Sequence, residues 1–402
     1  MTSKKIAEDY KFIPYLMVLA SALCAMSTTI LTPALPFIAH HFDFSNDASQ
    51  KILSMNLLGV ALSGLLYGAL SESLGRRLLF LMGFLLFSLC AFLSFLAESF
   101  NVLWSLQILQ GCGVGCAAVL PLAVIRDVYS GKRAAYLMSI FGILMALSPA
   151  LSPLVGGIII EALGWKFIFL FLSSVGVIIG IGLFYGLPET HPQELRHPVS
   201  LLLLLKNYAR LLKNTKFLRF AVLPWFSFGG LWVYSSTAPF VFIENCGLTP
   251  VEYGKYPIIT ILGVIIGNVF VNRFISLWEL LTFLKIGSIS LLSGIFGLLL
   301  ATGYNCKDPM VYASVMFFYC FGFGSLWSAS LSMAMDHVSH GKGYGAALIR
   351  SGQLLSASLG VMISGLLYEG SFILPGLFIL ACAIAITLLV WTTSRSEISL
   401  SE

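Results

Sequence analysis

Charge is what this sequence has least of. Asp, Glu, Lys and Arg make up 10% of its 402 residues, against 58% hydrophobic residues, whereas soluble domains carry about 25% charged residues. So few charges cannot cover a surface that faces water, but they suit a chain whose solvent is the hydrocarbon core of a bilayer. The net charge of +5 is dispersed, with no concentrated basic face of the kind that binds nucleic acid. The eight cysteines contain no Cys-x-x-Cys pair, which argues against a zinc site. No other metal-ligand spacing and no nucleophile–base constellation marks an enzyme, and nothing calls for a cofactor. Six cysteines (Cys24, Cys90, Cys112, Cys116, Cys320, Cys382) lie in apolar stretches and act there as small hydrophobes. Cys246 and Cys306 fall in two predicted outer loops and are expected as free thiols rather than a disulfide. The N-terminal segment does not read as a cleaved leader either. The apolar run from Ile13 to Ala39 is too long for a signal-peptide core and lacks a clear cleavage site, so it reads as a first membrane span.

What is present is a series of long apolar segments. A spanning helix needs about 20 mainly apolar residues. On that basis the spans fall at 13–39, 50–70, 78–97, 102–125, 134–160, 167–187, 220–243, 253–271, 285–303, 310–335, 344–368 and 372–393. An even count puts both termini on one side. With the N-terminus cytoplasmic, 18 of the 23 Lys and Arg residues lie inside, including Lys4, Lys5, Lys11 and Arg395. Only Lys51, Lys166, Lys255 and Lys307 lie outside, and Arg350 falls within the eleventh span. That asymmetry sets the orientation by the positive-inside rule.

The longest hydrophilic stretch, Pro188 to Arg219, divides the chain into a bundle over 1–187, a linker over 188–219 and a bundle over 220–402. Within the linker, Lys206, Arg210 and Lys213 recur at helical spacing opposite a leucine-rich face. This predicts a helix lying on the cytoplasmic leaflet against anionic lipid, the alternative being an early start to the seventh span. A weak repeat supports two related halves. Gly131-Lys132 opens span five and Gly341-Lys342 opens span eleven, and the same offset pairs Gly142 with Gly352.

Between the second and third spans the chain reads Gly68-Ala-Leu-Ser-Glu72-Ser-Leu-Gly75-Arg76-Arg77. A turn this short needs glycine's conformational freedom, and an acid beside two arginines makes a charge cluster able to form and break. This segment resembles the loop signature of the major facilitator superfamily, with Glu72 standing where that signature has aspartate. Span four opens on Gln107-Ile-Leu-Gln110-Gly111-Cys-Gly113, similar to the superfamily's second motif with Gln107 in place of its arginine. Gln107 and Gln110 share a helix face roughly 7 to 13 Å below the outer surface, where amides either line a polar cavity or bond a neighbouring helix. Span four ends in Arg126-Asp127, and the resemblance implies that Asp127 pairs with Arg76 or Arg77 to close the cytoplasmic side in one state.

Span five carries Ser148-Pro149-Ala-Leu-Ser152-Pro153-Leu-Val-Gly156-Gly157. Proline bends a helix and glycine admits a close neighbour. The segment is similar to the motif associated with the superfamily's antiporters. Span one ends Thr28-Thr29-Ile-Leu-Thr32-Pro33-Ala34-Leu35-Pro36, which resembles the bicyclomycin/chloramphenicol-resistance branch of drug exporters. That branch often has an acid where Thr29 stands. Here Glu98, Glu161, Glu244 and Glu369 all sit near predicted outer helix ends, and no carboxylate lies at mid-membrane to carry a proton. Arg350, about 9 Å into its span, either holds an anionic substrate or snorkels toward the cytoplasm.

Trp225, Phe228 and Trp232 lead to Ser235 and Ser236 in span seven, and Phe321, Phe323 and Trp327 enrich span ten. These aromatics suit either an apolar substrate or the lipid. Asn56, Asn268 and Gln353 are further polar candidates for a cavity lining.

The resemblance implies an all-α fold of two pseudo-symmetric six-helix bundles. The expected substrate site lies between them at mid-depth, lined by helices one, four, seven and ten. The expected activity is export of a drug-like or amphipathic small molecule by proton-coupled antiport, from a monomer in the plasma (inner) membrane. The competing readings are a facilitator for one metabolite and a receptor that transports nothing.

Overall fold

The computed structural model describes residues 12–196, 200–338 and 342–393; Lys4, Lys5, Lys11, Gly341 and Arg395 lie outside them. Twelve helical segments are long and apolar enough to cross a bilayer, and no strand occurs among the described residues. Spans 1 to 6 are Ile13–Phe42, Asn46–Leu74, Arg76–Phe95, Phe100–Val128, Gly131–Leu163 and Phe167–Gly186. Spans 7 to 12 are Thr215–Asn245, Pro250–Phe274, Leu280–Gly303, Pro309–Asp336, Lys342–Leu367 and Ile373–Trp391. The spans lie where their apolar runs placed them, and the largest shifts are the earlier starts of spans 7 and 9.

Local chemistry sets the ends. Gly75 (φ 94°) and Gly164 (φ 100°) close spans 2 and 5 in backbone conformations that other residues rarely adopt. Span 1 is broken. Pro33 and Pro36 divide it into Ile13–Thr29, a tight turn over Thr32–Ala34 and Leu35–Phe42. Span 7 is irregular at the corresponding place, widening after Pro239 into a π-helical turn over Phe240–Asn245. Between spans 6 and 7 a separate helix runs over Leu201–Lys213. Asn214 divides it from span 7, accepting a hydrogen bond from the Phe217 N–H (3.2 Å) while its amide donates to the His337 carbonyl (3.1 Å). The linker helix is therefore distinct from span 7, which begins at Thr215. The linker helix buries Leu204, Tyr208 and Leu211 and leaves Leu202, Leu203 and Leu205 exposed.

Each half repeats one packing scheme. Span 2 packs on span 4, and span 8 on span 10. Span 3 lies against spans 4 and 6, and span 9 against spans 10 and 12. Span 1 meets spans 5 and 6, and span 7 meets spans 11 and 12. One apolar core is drawn mainly from spans 1 to 6 and a second from the linker helix and spans 7 to 12. Outward-facing side chains such as Leu85, Ile178 and Leu366 stay exposed and form the belt that meets lipid. The paired glycines of the sequence repeat do not share surroundings. A Cβ on Gly142 would meet nothing, whereas one on Gly352 would strike the Trp225 ring.

Candidate functional site

Both described chain ends lie at the same end of the bundle. Ile13 abuts Gly186 there, and the Arg219 guanidinium donates to the Thr392 hydroxyl (3.2 Å). We call this the terminal end and its opposite the distal end.

A cavity of about 280 Å³ lies between the halves. Spans 1, 4, 7 and 10 all contribute to its wall, but spans 2, 5, 8 and 11 contribute as well. Its wall is rich in aromatics, among them Phe228 and Trp232 from span 7, Tyr256 from span 8 and Phe323 from span 10. Of the sequence candidates, Thr29, Trp232, Ser235 and Arg350 line it, together with Pro149 and Pro153. Thr29 and Ser152 share a hydroxyl hydrogen bond of 2.5 Å, tying span 1 to span 5. Ser235 donates back to the Leu231 carbonyl (2.9 Å). Arg350 is the single charge among the described lining residues.

The other polar candidates lie elsewhere. Asn56, Gln107 and Gln110 are fully buried behind the wall. The Asn56 amide donates to Gln107 Oε1 (3.3 Å), and Gln107 donates to Gln110 Oε1 (2.7 Å) and to the Ser94 hydroxyl (3.3 Å). These amides join spans 2, 3 and 4, because a buried amide left without a partner costs more than the bond it makes. Thr28, which lines the cavity, connects them to it, its hydroxyl donating to Asn56 Oδ1 (3.3 Å). Asn268 accepts from the Ser328 hydroxyl (2.7 Å), joining span 8 to span 10. Trp327 packs on Phe323 (6.0 Å between centroids) outside the lining. Gln353, buried and also outside it, accepts from Arg350 Nη1 (3.4 Å). Cys246 and Cys306 are both free thiols.

The distal end is sealed. Gly156 lies against the Ile30 carbonyl of span 1, and Gly157 against the Pro250 carbonyl at the start of span 8. Gly254 lies against the backbone of Leu154. Glu161 accepts from the Val251 N–H (2.9 Å), and His40 Nε2 stands 3.6 Å from Glu244. Farther along span 5, toward the terminal end, Tyr136, Ile143 and Leu147 are exposed. Span 5 is thus clamped to spans 1 and 8 in its distal third, its terminal third packs through Leu137 on Ile125 and Tyr129, and Pro149 and Pro153 lie between the two.

At the terminal end a charge cluster surrounds the Gly75 turn. Arg76 Nε lies 3.3 Å from Asp127 Oδ2, and its guanidinium also bonds the Ser71 hydroxyl. Sequence reading missed three partners here. Glu189 accepts from the Arg76 N–H (2.9 Å) and pairs with Arg196 (3.2 Å), and Thr190 donates to Asp127 (3.2 Å). The available signal was an acid directly after span 6, in the segment Leu187-Pro188-Glu189-Thr190. A side chain at Gly75 would collide with Glu189 and Arg196, which docks that segment onto the turn. Arg77 donates to the Phe184 carbonyl (2.8 Å). Glu72 and Arg126 are exposed and in no ion pair among the described residues. Gly68 stands in ordinary contact with Val119.

The family model of the Major Facilitator Superfamily matches residues 17–349. The chain is 28% identical over 282 residues to a bicyclomycin resistance protein homolog of Haemophilus influenzae, covering 70% of this chain and 71% of that one. It is 26% identical over 351 residues to the chloramphenicol resistance protein CraA of Acinetobacter baumannii, covering 87% and 84%. Among solved structures it superposes on a D-xylose-proton symporter with a TM-score of 0.78 at 17% identity, over 96% of this chain and 99% of that one. At that identity the likeness speaks for the fold. A two-bundle fold around a central cavity, joined to a family match over most of the chain, makes this protein a transporter and not an enzyme, and it belongs to the Major Facilitator Superfamily.

Proposed function

We propose that this transporter exports drug-like or amphipathic small molecules by antiport, with a proton as the counter-ion. The observation that carries the reading is the central cavity, largely apolar and aromatic, with span 5 clamped to spans 1 and 8 at its distal end. Such a wall favours apolar, poorly hydrated molecules over sugars. The resistance proteins to which the chain is similar point the same way. The halves 1–187 and 220–402 rock about the cavity, opening it to each side in turn, and the prolines of span 5 give that motion a bend. Arg76, Arg77, Lys132, Arg133, Arg273 and Lys285 lie at or near helix ends on the terminal side, so we assign that end, and both termini, to the cytoplasm of the plasma (inner) membrane. The protein acts as a monomer. Among the described residues no carboxylate lines the cavity, so the proton is carried elsewhere.

The test is accumulation of a fluorescent amphipath in everted vesicles, with and without a pH gradient. Dissipating the gradient should lower accumulation at least tenfold. Accumulation that is indifferent to the gradient rules out proton antiport.

A further inference from the structure

Arg350 has the surroundings of a binding group rather than a structural one. It lies within a membrane span, and its side chain keeps accessible surface as part of the cavity wall. Its described contacts are Gln353 Oε1 at 3.4 Å and the Phe228 ring at 5.6 Å, and no carboxylate pairs with it among the described residues. Span 11 is fixed in rotation on the Trp225 side. The Trp225 indole donates to the Ile349 carbonyl (2.9 Å), its ring abuts Gly352, and the Ser356 hydroxyl bonds the Trp225 carbonyl. The guanidinium is therefore aimed into the cavity by packing and does not snorkel out to the leaflet.

The remaining polar groups of the wall are mostly committed. Ser21 donates to the Ala117 carbonyl (2.8 Å), Thr32 to Thr29 (2.8 Å) and Thr260 to Pro257 (2.8 Å). With those hydroxyls committed, Arg350 gives the wall its one cationic fork of donors among the described lining residues, beside the Phe228 ring. A guanidinium has five N–H donors in a geometry that matches a carboxylate. An isolated charge at this depth is costly unless it is hydrated or paired.

We propose that the transporter selects amphipathic anions: molecules with an aromatic or apolar body and one acidic group, the acid held by Arg350 and the body lying on Phe228 and Trp232. Gln353 is a positioning residue that steadies the fork. Cationic amphipaths are rejected by the unpaired charge. This assignment rests on the export reading above and narrows its substrate class.

Three probes that share one fluorophore decide it: dansylglycine (an anion), its methyl ester (neutral) and dansylcadaverine (a cation). Each is measured for transport by the purified protein in proteoliposomes. The wild-type protein should carry dansylglycine with a kcat/KM at least tenfold above that of the ester, and should carry dansylcadaverine least. R350Q should lose at least tenfold on dansylglycine and change less than twofold on the ester. R350K, which keeps the charge without the fork, should fall between. A wild-type preference for the ester or the cation overturns the anion assignment while leaving export intact, and it needs no variant to fold. An equal loss on all three probes in R350Q makes Arg350 structural and also overturns it. Transport of none of the three removes the export reading and this inference together.

Discussion

The seam between spans 2 and 11 and the seam between spans 5 and 8 are exchanged by the same two-fold pairing that relates the halves, yet they differ in extent and chemistry. The first is long. Asp47 meets Gly365, Ser54 meets Ser358 and Gly64 meets Ser351, and at its centre each serine hydroxyl donates to the other's carbonyl at 2.8 Å. The second is short, confined to the distal end, and made mainly of backbone against backbone at Gly157–Pro250 and Gly254–Leu154, with one side-chain bond from the Val251 N–H to Glu161. A long seam of weak, repeated contacts yields gradually as the halves tilt. A short seam built mainly of close backbone contacts either seats or does not. The second is therefore the latch, and single changes should act on it most strongly.

The largest effect should come from Gly157→Leu. A Cβ there meets the Pro250 carbonyl and the Val251 nitrogen, and neither can move without shifting the start of span 8. Overpacking of this kind costs about 1–3 kcal/mol, enough to move a two-state equilibrium roughly 5- to 150-fold. The variant should reach the membrane, transport at less than a tenth of the wild-type rate, and show a longer spin-label distance between the outer ends of spans 5 and 8. Wild-type transport by Gly157→Leu would dissolve the distinction between the two seams.

The same contrast recurs at the terminal turns. The turn at Gly75 is held by charges, through Arg76–Asp127 and Glu189–Arg196. Its counterpart between spans 8 and 9 is held by rings, with Trp278 stacked on Phe274 at 5.3 Å and packed near Phe270 and Phe283. Ion pairs exchange partners readily, whereas a ring stack in lipid is inert, so the first half should carry the adjustable contacts. Arg76→Ala and Asp127→Ala should each lower turnover roughly fivefold, as loss of a partly exposed pair worth about 1 kcal/mol implies. The double variant should be no slower than the worse single one. Transport normalised to protein in the membrane measures this, and fully multiplicative losses would mean the two residues act separately.

How much of this was legible in the residues follows from the solvent. A bilayer demands about 20 apolar residues per crossing and satisfied backbone bonds, so the number and order of the spans could be read directly. Which side of a span faces a partner could not. In water an apolar stripe marks the core, but in lipid both faces are apolar and the stripe fades. Gln107 and Gln110 could be put on one face, yet nothing in their spacing says that the face meets Asn56 rather than the cavity. Phe228 and Trp232 reach the cavity, whereas Trp225, one turn away, clamps span 11. Arg350 stood out as a charge where charges are rare, but its direction depends on Trp225, 125 positions earlier in the chain. Glu189 was hidden for a related reason: its partners are Arg76 and Arg196, and only the folded turn brings them together.

The smallest expected effect lies at the middle of the long seam. Hydrogen bonds between membrane helices average about 0.6 kcal/mol, because the separated helices find other partners. Ser54→Ala and Ser358→Ala each remove one of the two reciprocal bonds and leave the packing at Asp47–Gly365 and Gly64–Ser351 in place. Each should change the transport rate less than threefold, and a double-mutant cycle should give a coupling below about 1 kcal/mol. The cycle bears on the comparison because both seams cross the same divide. If Ser54→Ala alone were to match Gly157→Leu, the serine pair and not the glycine contact would be the latch. The terminal opening would then hinge on the seam between spans 5 and 8, reversing the roles that their lengths suggest.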